Sequence, residues 1–178
     1  VDGLWRTAEV VEETIRVRGR RPVRLTIRAT HRGPVFSDVL PGPHADLSYN
    51  WTLFHGGNHL RCVLTSNRAT DWPSFQESLR HWTFPSQNVV YADVDGTIAY
   101  AMPGLVPRRG KGDGLTPAPC WVSDYDWAGF VPFDALPDYV NPSEGFVATA
   151  NNCMVGDSYP HLLTGEWLPD YRVRRIRE

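Results

Sequence analysis

Two adjacent amides, Asn151 and Asn152, close the stretch GFVATANN, residues 145–152. The apolar run Phe146-Val147-Ala148 leads into Thr149-Ala150 and reads as a strand. Asparagine is depleted in strands because its side chain competes for local backbone hydrogen bonds. The pair is therefore either a turn after the strand or an amide held rigidly at a strand end, aimed at a group that needs a hydrogen-bond donor. The pattern alone leaves both open.

Other residues with chemical potential resolve to structure. His55 and His59 stand four apart, a zinc-like spacing on a helix, but Gly56-Gly57 lie between them and no acidic residue takes the place of a zinc-protease glutamate. They read as a loop. Asp93 and Asp95 beside Gly96 faintly suggest a calcium loop, yet the remaining EF-hand ligands are absent and a hairpin turn accounts for them better. Cys62, Cys120 and Cys153 have no metal-ligand spacing, and an odd count leaves at least one thiol free. Neither a G-x-S-x-G elbow nor a G-x-x-x-x-G-K-[ST] phosphate loop occurs. The residues alone do not form a self-contained catalytic set.

The elements that would position these groups are mostly strands. Glu12 to Thr30 alternates, with Ile15, Val17, Val23, Leu25 and Ile27 on one face and arginines on the other, and Gly19-Arg20-Arg21-Pro22 reads as the loop of a hairpin. Gly33-Pro34 reads as a turn before a short apolar strand. Asp46 to Phe54 alternates as a strand with Leu47, Tyr49, Trp51 and Leu53 inward. Helix is expected only between His59 and Trp82, with Ser74 as cap and Glu77 completing a capping box, and near Tyr171. Asn88 to Gly104 reads as a hairpin turning at Asp95-Gly96. Leu105 to Trp127 is a long irregular stretch, and Trp127 to Gly145 a proline-punctuated connector.

Composition bounds the class. The chain has 178 residues, enough for a single domain with a real core, spanning 1–178. Hydrophobic residues at 42% and charged residues at 21% fit a globular chain. A net charge of -2 gives no basic excess, which argues against nucleic acid as the main partner. No run is long enough for a membrane helix. With 15 Gly, 15 Pro and 21 aromatic residues, the expected fold class is α+β, mainly β.

Several spaced segments go further. QNVVYADVDGTIAYAMPGLVPRR, GDG, WAGFVPFDALPDYVNPSEGFVATANN and YPHLLTGEWLPDYRVRRI follow one another in an order and spacing that resemble the β-subunit of penicillin acylases. THRGPV, LSYNWT and FQESL continue the resemblance upstream, so that it covers roughly residues 15–177. It implies a piece of an αββα sandwich of the N-terminal nucleophile hydrolases, in which a serine exposed by self-cleavage attacks and its own α-amino group acts as base. It also implies that Asn151 is the side-chain donor of the oxyanion hole, since an amide donates without a charge that would need desolvation. Arg172 matches a family arginine that orients this asparagine, with Arg174 and Arg175 close enough for a register error, while Asn152 is expected to pin the turn. Val1 has no nucleophilic atom, so the nucleophile segment is expected upstream and the chain alone is expected to be inactive. The absence of an initiating Met and of a signal peptide reads as an internal fragment of a longer polypeptide. The implied partners are the rest of the β-subunit, the α-subunit and a small-molecule amide substrate, with periplasmic or secreted location and possible self-association of the fragment. The resemblance implies no cofactor; calcium is possible in the full enzyme, with Asp113 only a loose match to a ligand position. An acyl-homoserine lactone acylase and a non-catalytic β-rich binding or scaffold module are the alternative readings.

Overall fold

The computed structural model describes residues 1–41 and 45–178. Among the described residues, eight strands and three short helices form an α+β fold around three small antiparallel sheets. The first sheet joins β1 (Glu9–Ile15), β2 (Val23–Thr30) and β3 (Gly33–Pro34), with Ile15 opposite Val23 and Val11 opposite Ile27. The β1–β2 connection is residues 16–22, longer than the Gly19–Pro22 loop expected, because the ladder ends at Ile15 and Val23. Its apolar face is not covered by the described residues: Val11, Ile15, Val23 and Leu25 are each between 36 and 51% exposed.

The second sheet holds the core, and its strand order is β4 (Val89–Ala92), β5 (Ile98–Ala101), β8 (Asp138–Val140). The expected Asp95-Gly96 turn joins β4 to β5; Gly96 at φ 87° supplies the left-handed residue it needs, and Asp93 Oδ1 accepts the Asp95 and Thr97 N–H groups. As the central strand, β5 is buried on both faces. Small Ala99 and Ala101 allow α1 (His59–Ser66) and α2 (Trp72–Leu79) to pack closely through Cys62, Trp72 and Leu79. On the opposite face, fully buried Tyr100 stacks on Tyr139 at 5.1 Å, and Met102, Val106, Val131 and Leu136 complete a second cluster. Burial pushes the Tyr100 phenol well above its ordinary value.

Several expectations are corrected. The α2 cap is Asp71, not Ser74: its carboxylate accepts Ser74 N–H at 2.8 Å, and Ser74 serves as the box partner. Pro73 fits the first turn because that turn needs no N–H from it. Among the described residues, Asp46 to Phe54 forms one isolated bridge, Ser48 with Val35, and then a 3-10 turn at Thr52–His55. The connector after Trp127 contains both β7 (Trp127–Phe130), which pairs with β6 (Pro107–Arg109), and β8. His59 opens α1, and its Nε2 accepts N–H groups from Thr83 and Phe84, a structural use. The long 105–127 stretch is tied down by Arg32, which donates to Asp126, Pro119 and Val122.

Candidate active site

The stretch 146–152 lies over the second core cluster, where Val147 and Met154 pack against Tyr100, Met102 and Leu136. Ala148 and Ala150 turn the other way and bury against Val173 of α3 (Tyr171–Arg177), a helix expected from the sequence near Tyr171. The expected strand at 146–150 is not formed. A strand needs a ladder partner, and the backbone groups of 146–149 make no hydrogen bond among the described residues. Thr149 Oγ1 is buried there without a partner among the described residues.

Asn151 has left-handed backbone, φ 63°, which asparagine tolerates better than other side-chain-bearing residues. The carbonyl of Asn151 accepts the Leu168 N–H at 3.1 Å, bringing the returning chain against the turn. One residue before the Val173 anchor, Arg172 Nη1 donates to Asn151 Oδ1 at 3.0 Å and to Ala150 O at 3.4 Å. Guanidinium can only donate, so the amide atom facing it is the oxygen. The Asn151 Nδ2 group then points away with no protein partner among the described residues, on an exposed side chain. A neutral donor is thus held by a fixed cation.

The structure also sorts the arginines of α3. Arg174 pairs with Asp170 at 2.8 Å and Arg175 with Glu178 at 2.7 Å, while Arg177 reaches toward Glu144 at 3.9 Å. Among the described residues, Arg172 is the α3 arginine that hydrogen-bonds Asn151.

Asn152 is used differently. It is 8% exposed, and its Oδ1 accepts Ala150 N–H at 3.0 Å. Its Nδ2 donates to Cys153 O at 2.9 Å and approaches Met154 Sδ at 3.4 Å. The side chain therefore spans the residue before Asn151 and the residue after Asn152, the turn-pinning use expected. Sequence reasoning missed two supports, the Leu168 N–H and Val173. The small-residue positions Ala148 and Ala150 beside an apolar helix position were the only signal for the latter.

A mainly apolar concavity lies elsewhere, between Leu4–Ala8, His31 and Cys120–Trp121, and contains neither Asn151 nor Arg172. Among the described residues no three His, Cys, Asp or Glu side chains gather to hold a metal. Asp113 Oδ1 accepts Leu115 N–H at 2.9 Å. Cys62 is buried, whereas Cys120 and Cys153 are exposed, and all three are free thiols.

Comparison with known proteins agrees over the whole length. The family model described as penicillin amidase matches residues 1–178. The penicillin acylase 2 proenzyme of Pseudomonas sp. (strain SE83) is 32% identical over 168 residues, which are 93% of this chain and 21% of that protein. The acyl-homoserine lactone acylase QuiP of Pseudomonas syringae pv. syringae (strain B728a) is 30% identical over 180 residues, 100% of this chain and 22% of that protein. The solved thermostable penicillin G acylase from Alcaligenes faecalis superposes with a TM-score of 0.74 at 28% identity, covering 96% of this chain and 30% of that one. The chain thus spans about a fifth of the length of the curated relatives it matches.

Proposed function

The chain belongs to the penicillin amidase family, and from that premise we propose that it supplies the side-chain oxyanion donor to a linear-amide hydrolase whose nucleophile lies in another part of the polypeptide. The Arg172–Asn151 hydrogen bond carries this reading, because it fixes the amide oxygen and leaves the N–H free for an incoming oxyanion. Attack of the nucleophile on an amide carbonyl moves negative charge onto the carbonyl oxygen. A donor already fixed at that position stabilises the charge without reorganising at the moment of reaction. Arg172 holds the donor and places a positive charge behind it.

The substrate class is an N-acyl amide, either the acyl side chain of a β-lactam or a related N-acyl compound. An acyl-homoserine lactone is the second reading, supported by relatives of that name at 28 to 30% identity beside a penicillin acylase at 32%. The reading makes the remaining β-subunit and the α-subunit partners of this chain, places the assembled enzyme in the periplasm or outside the cell, and leaves the chain alone inactive. Unpaired backbone at 146–149 and the unpartnered Thr149 hydroxyl support a neighbouring segment of the longer polypeptide. The test is hydrolysis of a chromogenic acyl-anilide and of an acyl-homoserine lactone by the full-length protein, by its Asn151→Ala variant and by the isolated chain. Activity confined to the full-length protein and lowered at least about a hundredfold by the substitution supports the reading. Turnover by the isolated chain overturns it.

A further inference from the structure

The two asparagines divide their labour in a way that the donor role of Asn151 alone does not require. Only Asn151 is left-handed in this turn, at φ 63°. The neighbouring Asn152 amide uses both ends: the oxygen takes Ala150 N–H, and the nitrogen gives to Cys153 O and Met154 Sδ. Its orientation is fixed chemically, because the backbone donor of Ala150 demands an oxygen and the Cys153 carbonyl demands an N–H. These bonds close a bridge from residue 150 to residue 153 around the left-handed residue, and the bridge is buried.

We propose that Asn152 is a positioning residue for the hydrolysis, holding Asn151 in the left-handed backbone from which its free amide N–H is presented. The proposal rests on the donor reading of Asn151. The backbone direction at residue 151 sets where its side chain starts, and Arg172 then sets where the amide ends. Loss of the bridge allows residue 151 to relax toward right-handed backbone, which L-residues prefer, and the donor swings away from the developing charge. The effect falls on the transition state, so kcat falls while KM holds.

Asn152→Asp is the discriminating variant. It keeps shape and the acceptor for Ala150 N–H, but sets a carboxylate oxygen against the Cys153 carbonyl. The experiment compares the full-length protein, Asn152→Asp, Asn151→Ala and the double variant in acyl-anilide hydrolysis, with rates counted per site by a serine-directed sulfonyl fluoride. Asn152→Asp is expected to lower kcat about tenfold or more with KM within about twofold, and to add less than about twofold on the Asn151→Ala background. Multiplying effects, or a change confined to KM, overturn the proposal. A slow Asn151→Ala whose effect multiplies with that of Asn152→Asp removes only the role of Asn152, whereas an Asn151→Ala protein with unchanged kcat removes the donor reading itself. Asn152→Ser, whose hydroxyl both accepts and donates, carries the same cycle if the aspartate variant does not mature, and is expected to retain more kcat than Asn152→Asp where both mature; the reverse order counts against the proposal.

Discussion

At the scale of single residues, the account turns on which end of an amide is free. Asn151 and Asn152 are chemically identical, yet one presents its N–H outward while the other uses every polar atom in the turn. Position 151 was legible as a candidate because an amide sits poorly in a strand and the surrounding motifs resemble the acylases. Its left-handed φ was not legible, and the bond from Arg172 was expected only through that resemblance, because the helix that carries it lies 20 residues later. Removing that bond makes a prediction separate from deletion of the donor. Arg172→Ala frees the Asn151 amide to rotate and is expected to lower kcat roughly tenfold to a hundredfold, the range for a hydrogen bond to a charged group. Arg172→Lys, with a donor but no rigid fork, is expected to fall between. Steady-state kinetics of the full-length variants check the order, and an alanine variant with unaltered kcat counts against an orienting role.

Elements position the site through small contacts. Val173 of α3 is buried against Ala148 and Ala150, and this contact sets the helix that carries Arg172. Val173→Ala is expected to cost about 1–2 kcal/mol of stability and to lower kcat as well, because Arg172 shifts with the helix. Thermal unfolding and kinetics on the same preparation separate the two effects. At α2, hydrogen bonds from Ser74 hold the Asp71 carboxyl below its ordinary value of 3.8. A carboxylate with a lowered folded-state value stabilises above its unfolded value, and the contribution is lost as pH falls through the folded one. The melting temperature is therefore expected to drop below about pH 4, and Asp71→Asn to flatten that part of the profile. Where local signals were strong, as at Asp95-Gly96 and at the Tyr171 helix, the elements were legible. The Asp46–Phe54 alternation misled because three aromatic residues pack on one another, Tyr49 on Trp51 and Trp51 on Phe54, without a ladder. Strand β8 was hidden by its brevity and by the prolines around it.

For the whole molecule, the main fact is an uncovered apolar surface. The β1–β2 hairpin alternates correctly for a half-buried sheet, yet both its faces meet solvent. Leu60, Val63 and Leu64 of α1 are exposed too, at 46 to 70%. Alternation in a sequence states which face wants burial and cannot state what covers it; among the described residues nothing covers this one. The isolated chain is expected to self-associate through these faces. Light scattering at rising concentration checks this, and a monomer at high concentration contradicts it. Association of the isolated chain does not imply association of the assembled protein, where the remaining polypeptide is proposed to occupy the same surface.

The central claim is that Asn151 donates to the oxyanion. Its most direct test is kcat for acyl-anilide hydrolysis by the full-length protein with Asn151→Ala, at unchanged maturation and site count. The account predicts a fall of about a hundredfold or more, with KM within a few fold. A kcat equal to that of the parent protein contradicts it, and Asn151 is then no more than the corner of a turn.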